Sequence, residues 1–159
     1  GNGGGLLAQA AEIVEEFLPE NQVIVRTKGL HQGVDEIRSS KNGTYQDMKV
    51  VVLIDQSSAS ASEIVAGALQ DLDRSTTVGR RSFGKGLVQH ELELADKSAL
   101  RLTVARYYTP SGRCIQKPYE NGRIEDYYQD EMERYDTGEL VNADSVKLNK
   151  KLKYNKLTL

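Results

Sequence analysis

Hydrophobic and polar positions divide the chain into a short series of elements. Leu6, Leu7, Ala10, Ile13, Val14, Phe17 and Leu18 recur at helical spacing and Pro19 closes the run, which predicts a first helix. QVIVRT (22–27) is β-branched and of strand length, and the polar stretch 28–47, with its Asn42-Gly43 turn signal, predicts an irregular connection or a loose hairpin. MKVVVLID is a continuous apolar run, the pattern of a strand buried on both faces. After it, Ile64, Val65, Ala68, Leu69 and Leu72 form one helix face, and TTVG (76–79) returns to the sheet, so strand, turn, helix and strand make a βαβ unit. Residues 87–94 and 99–108 each alternate and flank ADKS, which predicts a β-hairpin, and TPSGR (109–113) is a turn.

The pattern then breaks. From Glu120 to Asp144 there are nine acids against two bases, and from Ser145 to Leu159 five lysines and no acid. Such a segregated tail, with Tyr119, Tyr127, Tyr128, Tyr135 and Tyr154 interspersed, reads as a surface-packed helical or irregular layer. At 159 residues the chain has the size of one domain. A net charge of −2 offers no surplus for nucleic acid, and no apolar run reaches membrane-span length. One cysteine, Cys114, excludes a disulfide framework, and with His31 and His90 as the only histidines no metal site is expected. The chain opens on GNGGG, a turn that ought to follow another element, and is read as a fragment.

Chemistry concentrates in the stretch DQSSASASEIVAGAL (55–69). Ser60-Ala61-Ser62-Glu63 fits a capping box, in which the serine caps the helix and Glu63 reaches back to it. A serine between a strand and a helix N-terminus also suits an acyl-transfer nucleophile, with the free N–H of Ala61 as half of an oxyanion hole. His31 lies in a loose segment and His90 on the apolar side of its strand, a half-buried position, which leaves Lys85 in SFGKGLVQ as candidate base. A lysine acts as base where an apolar site brings its pKa from about 10.4 toward neutrality, at a cost of roughly 4 kcal/mol. Gly84 and Gly86 would let the backbone approach closely there, and Phe83 and Leu87 could exclude water; the plain alternative is a surface turn lysine. Two glycine motifs fail. GRRSFGKG lacks the Ser/Thr of a nucleotide-binding loop and precedes a strand, and GNGGGL has Leu6 where a dinucleotide fingerprint needs glycine, so no cofactor is expected.

In order, GNGGGLL, VVVLIDQSSASASEIVAGALQD, VGRRSFGKGLVQ and LTVARYYTPSGRCIQ closely resemble the carboxy-terminal processing (tail-specific) proteases, serine peptidases with a Ser-Lys dyad. The resemblance implies Ser60 as nucleophile, Lys85 as base, Gln89 as its assistant, and an oxyanion hole from Ala61 with Gly5, then Gly4. It implies an α/β fold of the ClpP/crotonase type, a twisted sheet flanked by helices, with 1–118 as the peptidase core and 119–159 as a charged C-terminal extension of the same, truncated domain. It further implies endopeptidase action on protein substrates held by their C-terminal region, a PDZ domain elsewhere in the full chain, and the periplasm or cell envelope as location. A non-catalytic peptide-binding module of the same fold is the alternative.

Overall fold

Helical spacing at the start of the chain becomes α1 (Leu7–Glu15), which buries Ala10, Ala11 and Val14. The computed structural model describes residues 1–30, 33–118 and 125–141; His31 and the tail beyond Val141 lie outside them. The connection after α1 leads into β1 (Val23–Gly29), and the loose segment is a hairpin, because β2 (Val34–Arg38) pairs antiparallel with β1. The apolar run is β3 (Val50–Ile54), the serine-led helix is α2 (Ala61–Asp71), and β4 (Ser75–Gly79) lies parallel to β3, completing the βαβ unit. The alternating segments form the hairpin β5 (Leu87–Glu93) and β6 (Ala99–Tyr108), and α3 (Glu125–Asp136) follows.

The fold is mixed α/β, and its strands fall into two sheets. One is antiparallel with order β2-β1-β6-β5, and the other is the parallel pair β3-β4. Val14, Leu18, Ile24, Val25, Ile64, Ala68, Leu69 and Tyr107 make the core, with α1 and α2 packed together against β1. Val14, Leu18, Ile24, Val25, Ile64 and Leu69 are at most 2 % exposed, each worth about 1.5–3 kcal/mol of apolar burial.

β3 is not buried on both faces; the most deeply buried strand residues are Ile24 at 1 % and Val25 at 0 % exposure in β1, where the register with β2 shifts. Val50 and Val52 of β3 pack on the core, but Val51 and Leu53 are 61 % and 77 % exposed. Among the described residues only one face of the β3-β4 sheet is covered, so a doubly apolar strand keeps one apolar face in solvent. His90 also departs from expectation: it is exposed rather than half-buried, because among the described residues no layer packs on the outer part of the hairpin.

Candidate active site

The chain leaves β3 at Ile54 and must turn sharply to enter α2. Asp55 and Ser58 make that turn. Ser58 Oγ accepts from the Asp55 amide at 3.0 Å, and Asp55 Oδ1 accepts the Ser57 amide at 2.9 Å. Ser60 then adopts φ 58° and ψ −120°. That region is sparsely populated by residues with a side chain and costs on the order of 1–3 kcal/mol. A serine held in a strained strand-to-helix turn has its hydroxyl thrust out from the backbone at the N-terminal end of α2, the arrangement used by nucleophile elbows.

Glu63 is the residue that pattern reading undervalued. The glutamate half of the capping box is in place, with Glu63 Oε2 accepting the Ser60 N–H at 2.8 Å. The same oxygen accepts the Lys85 N–H at 2.8 Å, while Oε1 accepts Ser82 Oγ at 2.6 Å and the Gly84 N–H at 2.7 Å. Its side chain is 6 % exposed and takes four donors, the full acceptor capacity of a carboxylate. The turns carrying Ser60 and Lys85 thus share one carboxylate. The i+3 spacing announced a cap, but its second set of donors lies 19–22 residues away and has no local signal.

Other contacts hold the 82–86 turn. Phe83 N–H donates to the Ser58 carbonyl at 2.9 Å, and Lys117 N–H donates to the Gly84 carbonyl at 2.9 Å. Gly86 N–H donates to Oε1 of Gln116, itself 6 % exposed, at 3.0 Å. A Cβ at Gly86 would lie 2.4 Å from the Gln116 nitrogen, so only glycine allows this approach. That fulfils the expected role of one glycine beside Lys85. The expected apolar enclosure is absent: Lys85 is exposed, and Phe83 turns to pack on Tyr127 with ring centroids 5.8 Å apart. No hydrogen bond joins Lys85 Nζ to the Ser60 hydroxyl. Gln89, also exposed, donates from Nε2 to Thr103 Oγ1 at 3.4 Å across the hairpin. The structure therefore brings the main chains of Ser60 and Lys85 together through Glu63, with no hydrogen bond from the side chain of Lys85 or Gln89 to the serine among the described residues.

The opening glycines meet the same turn. The Asn2 carbonyl accepts the Ala59 N–H at 2.9 Å, and Asn2 Oδ1 accepts the Gly4 N–H at 3.0 Å. Gly4, at φ 93°, lies so close to the serine turn that a Cβ there would be 2.8 Å from the Ala61 nitrogen. The Gly4 amide is thus already engaged by Asn2. Gly4, Gly5 and Ala61 line a cleft of about 350 Å³ whose other walls include Leu6, Ile13, Leu53 and Val65. The Ser62 hydroxyl, buried without a hydrogen-bond partner among the described residues, also lines it.

The segment 79–86 is not a phosphate loop, since it feeds β5 and not a helix. Among the described residues no group of three or more His, Cys, Asp or Glu could hold a metal ion, and no helix is long and apolar enough to cross a membrane. Cys114 is exposed and unpaired with another cysteine.

Comparison with known proteins agrees with this geometry. Over 117 residues the chain is 53% identical to a carboxy-terminal-processing protease of Bartonella bacilliformis, covering 72% of this chain and 26% of the relative. Over 116 residues it is 43% identical to a carboxyl-terminal-processing protease of Synechocystis sp., covering 73% and 27%. A solved photosystem II D1 C-terminal processing protease superposes with TM-score 0.66 at 39% identity, over 72% of this chain and 30% of that one. The chain thus spans about a quarter of the length of the curated relatives it matches. The description Peptidase family S41 matches residues 1–128, and with most of the chain inside that match, it belongs to this family.

Proposed function

We propose that residues 1–118 form the catalytic core of a serine endopeptidase that cleaves protein substrates near their C-termini, and that 119–159 are a charged extension of the same domain. The observation that carries this reading is the strained Ser60 turn tied through Glu63 to the Lys85 turn. In the reaction, uncharged Lys85 takes the Ser60 hydroxyl proton as Oγ attacks the scissile carbonyl carbon, and the amides of Ala61 and Gly5 receive the oxyanion. The Lys85 ammonium then protonates the departing amine, leaving an acyl ester on Ser60. Water, giving its proton to Lys85, attacks that ester, and collapse releases the new carboxylate and returns the proton to Ser60. Gln89 orients the Lys85 amine. The apolar lining of the 350 Å³ cleft suits an apolar substrate side chain next to the scissile bond.

For Lys85 to serve as base its exposed amine must become enclosed, and a substrate chain laid over the 82–89 segment would displace water from it. We further propose that the full protein carries a PDZ domain that receives substrate C-termini and that it works in the periplasm or cell envelope. Ser60→Ala in the intact protein tests the reading. Cleavage should vanish while stability stays within about 1 kcal/mol; persistent cleavage would remove Ser60 from the mechanism. The exposed, unbonded Lys85 favours one rival, a non-catalytic module that binds peptides in the same cleft. It predicts peptide binding without turnover in both the parent protein and Ser60→Ala.

A further inference from the structure

The Lys85 turn is gripped on one side by Glu63 of α2 and on another by Gln116 and Lys117. Its remaining side is covered by α3. Arg134 is 5 % exposed, and its Nη2 donates to the Arg81 carbonyl at 2.6 Å, with Nη1 3.5 Å from the Ser82 carbonyl. Glu139 Oε1 accepts Arg134 Nε at 2.8 Å and Glu139 Oε2 meets Arg81 at 3.3 Å, while Asp130 bridges Arg81 at 3.2 Å and Lys117 at 2.9 Å. The Lys117 ammonium sits 4.7 Å from the Phe83 ring centroid and 4.4 Å from that of Tyr127.

Two features set this contact apart from ordinary helix docking. First, α3 docks mainly through charge: Tyr128, Met132 and Tyr135 are 62 %, 66 % and 63 % exposed, while Asp130 and Arg134 face the body, with Tyr127, packed on Phe83, as the aromatic contact beside them. Burying an arginine costs several kcal/mol unless each donor finds a partner, so an apolar face would be the cheaper way to attach a helix. Second, the partners Arg134 reaches are main-chain carbonyls of the very turn whose next residues are Phe83, Gly84 and Lys85. Arg134 also lies beyond the residues that match the family description, 1–128.

We propose that α3 is a brace for the Lys85 turn and that Arg134 is its positioning residue, setting where the Lys85 amine stands relative to Ser60. This rests on Lys85 acting as the base. Arg134 touches neither substrate nor the reacting atoms and acts through the carbonyls of Arg81 and Ser82.

The test compares Arg134→Met, Arg134→Lys, Lys85→Ala and wild type in the intact protein, with kcat per folded molecule normalised by circular dichroism. Misplacing a catalytic group by about 1 Å costs up to about 100-fold, so Arg134→Met should lose about 10- to 100-fold in kcat with KM unchanged. Arg134→Lys, which keeps a donor for the Arg81 carbonyl, should recover part of it. Wild-type kcat in Arg134→Met with an inactive Lys85→Ala would overturn the brace alone. Full activity in Lys85→Ala would overturn the underlying mechanism and the brace with it. If Arg134→Met is poorly folded, amide exchange of residues 82–86 in Arg134→Lys decides: faster exchange there, with β1 and α2 unchanged, supports the brace, and unchanged exchange refutes it.

Discussion

Ser60 occupies a backbone region that favours glycine, at φ 58° and ψ −120°, and this separates its two roles. A serine needed only as a cap would be replaced without loss by glycine, a good cap itself. Ser60→Gly should relieve about 1–3 kcal/mol of strain, less about 0.4–1 kcal/mol of added chain entropy, and raise the urea midpoint while abolishing cleavage. A lowered midpoint would show that the turn is not strained. Glu63→Gln is the complementary substitution. A buried amide keeps one oxygen but puts an NH2 where two of the four incoming donors need an acceptor. A loss of about 1–3 kcal/mol in urea denaturation is expected, together with reduced kcat. A capping glutamate in solvent would instead cost only a few tenths of a kcal/mol, so the size of the effect identifies the role.

At the scale of elements, α1, α2, the βαβ unit and the β5-β6 hairpin follow from periodicity, because each has a strong local pattern and short connections. Residues 119–159 carried no such pattern, and α3 could not be placed, since it docks, together with Glu139, mainly through charged groups that complement a turn 49–58 residues earlier in the chain. The anchoring of α3 is pH-dependent. Burial acts to raise the Asp130 carboxyl, but the hydrogen bond from Lys117 and the charges of Arg81, Lys117 and Arg134 outweigh it and hold it below the usual aspartate range. A carboxyl lowered in the folded state adds stability that is complete above its unfolded value, about 3.9, and is lost as pH falls through the folded value. Asp130→Asn should therefore lower the urea midpoint at pH 7 and lose that effect near about pH 2. An equal difference at both pH values would mean that the ion pair contributes nothing.

On the scale of the whole molecule, two apolar surfaces besides that of α3 are left open among the described residues. Leu6, Ile13, Val51, Leu53 and Val78 are between 49 % and 77 % exposed around the β3-β4 sheet, and Leu92, Leu94, Leu100 and Leu102 are about half-exposed on the outer hairpin. Patches of this kind mark interfaces or association sites. Residues 1–159 produced alone should self-associate with rising concentration in light scattering, and Leu53→Lys with Val51→Thr should suppress it; a monomer at all concentrations would speak against an apolar interface there. What the sequence by itself determined was the element order and the identity of the nucleophile and base candidates, since SASASE and FGKG are contiguous and local hydrophobic period dictates helix or strand. Only the tertiary structure decided that Glu63 unites the two turns, that β3 keeps one apolar face in solvent, that Lys85 stands in solvent, and that Arg134 reaches the turn before it. Each of these depends on which distant segments meet, and burial and partner geometry across 20 to 50 residues leave no periodic trace in the chain.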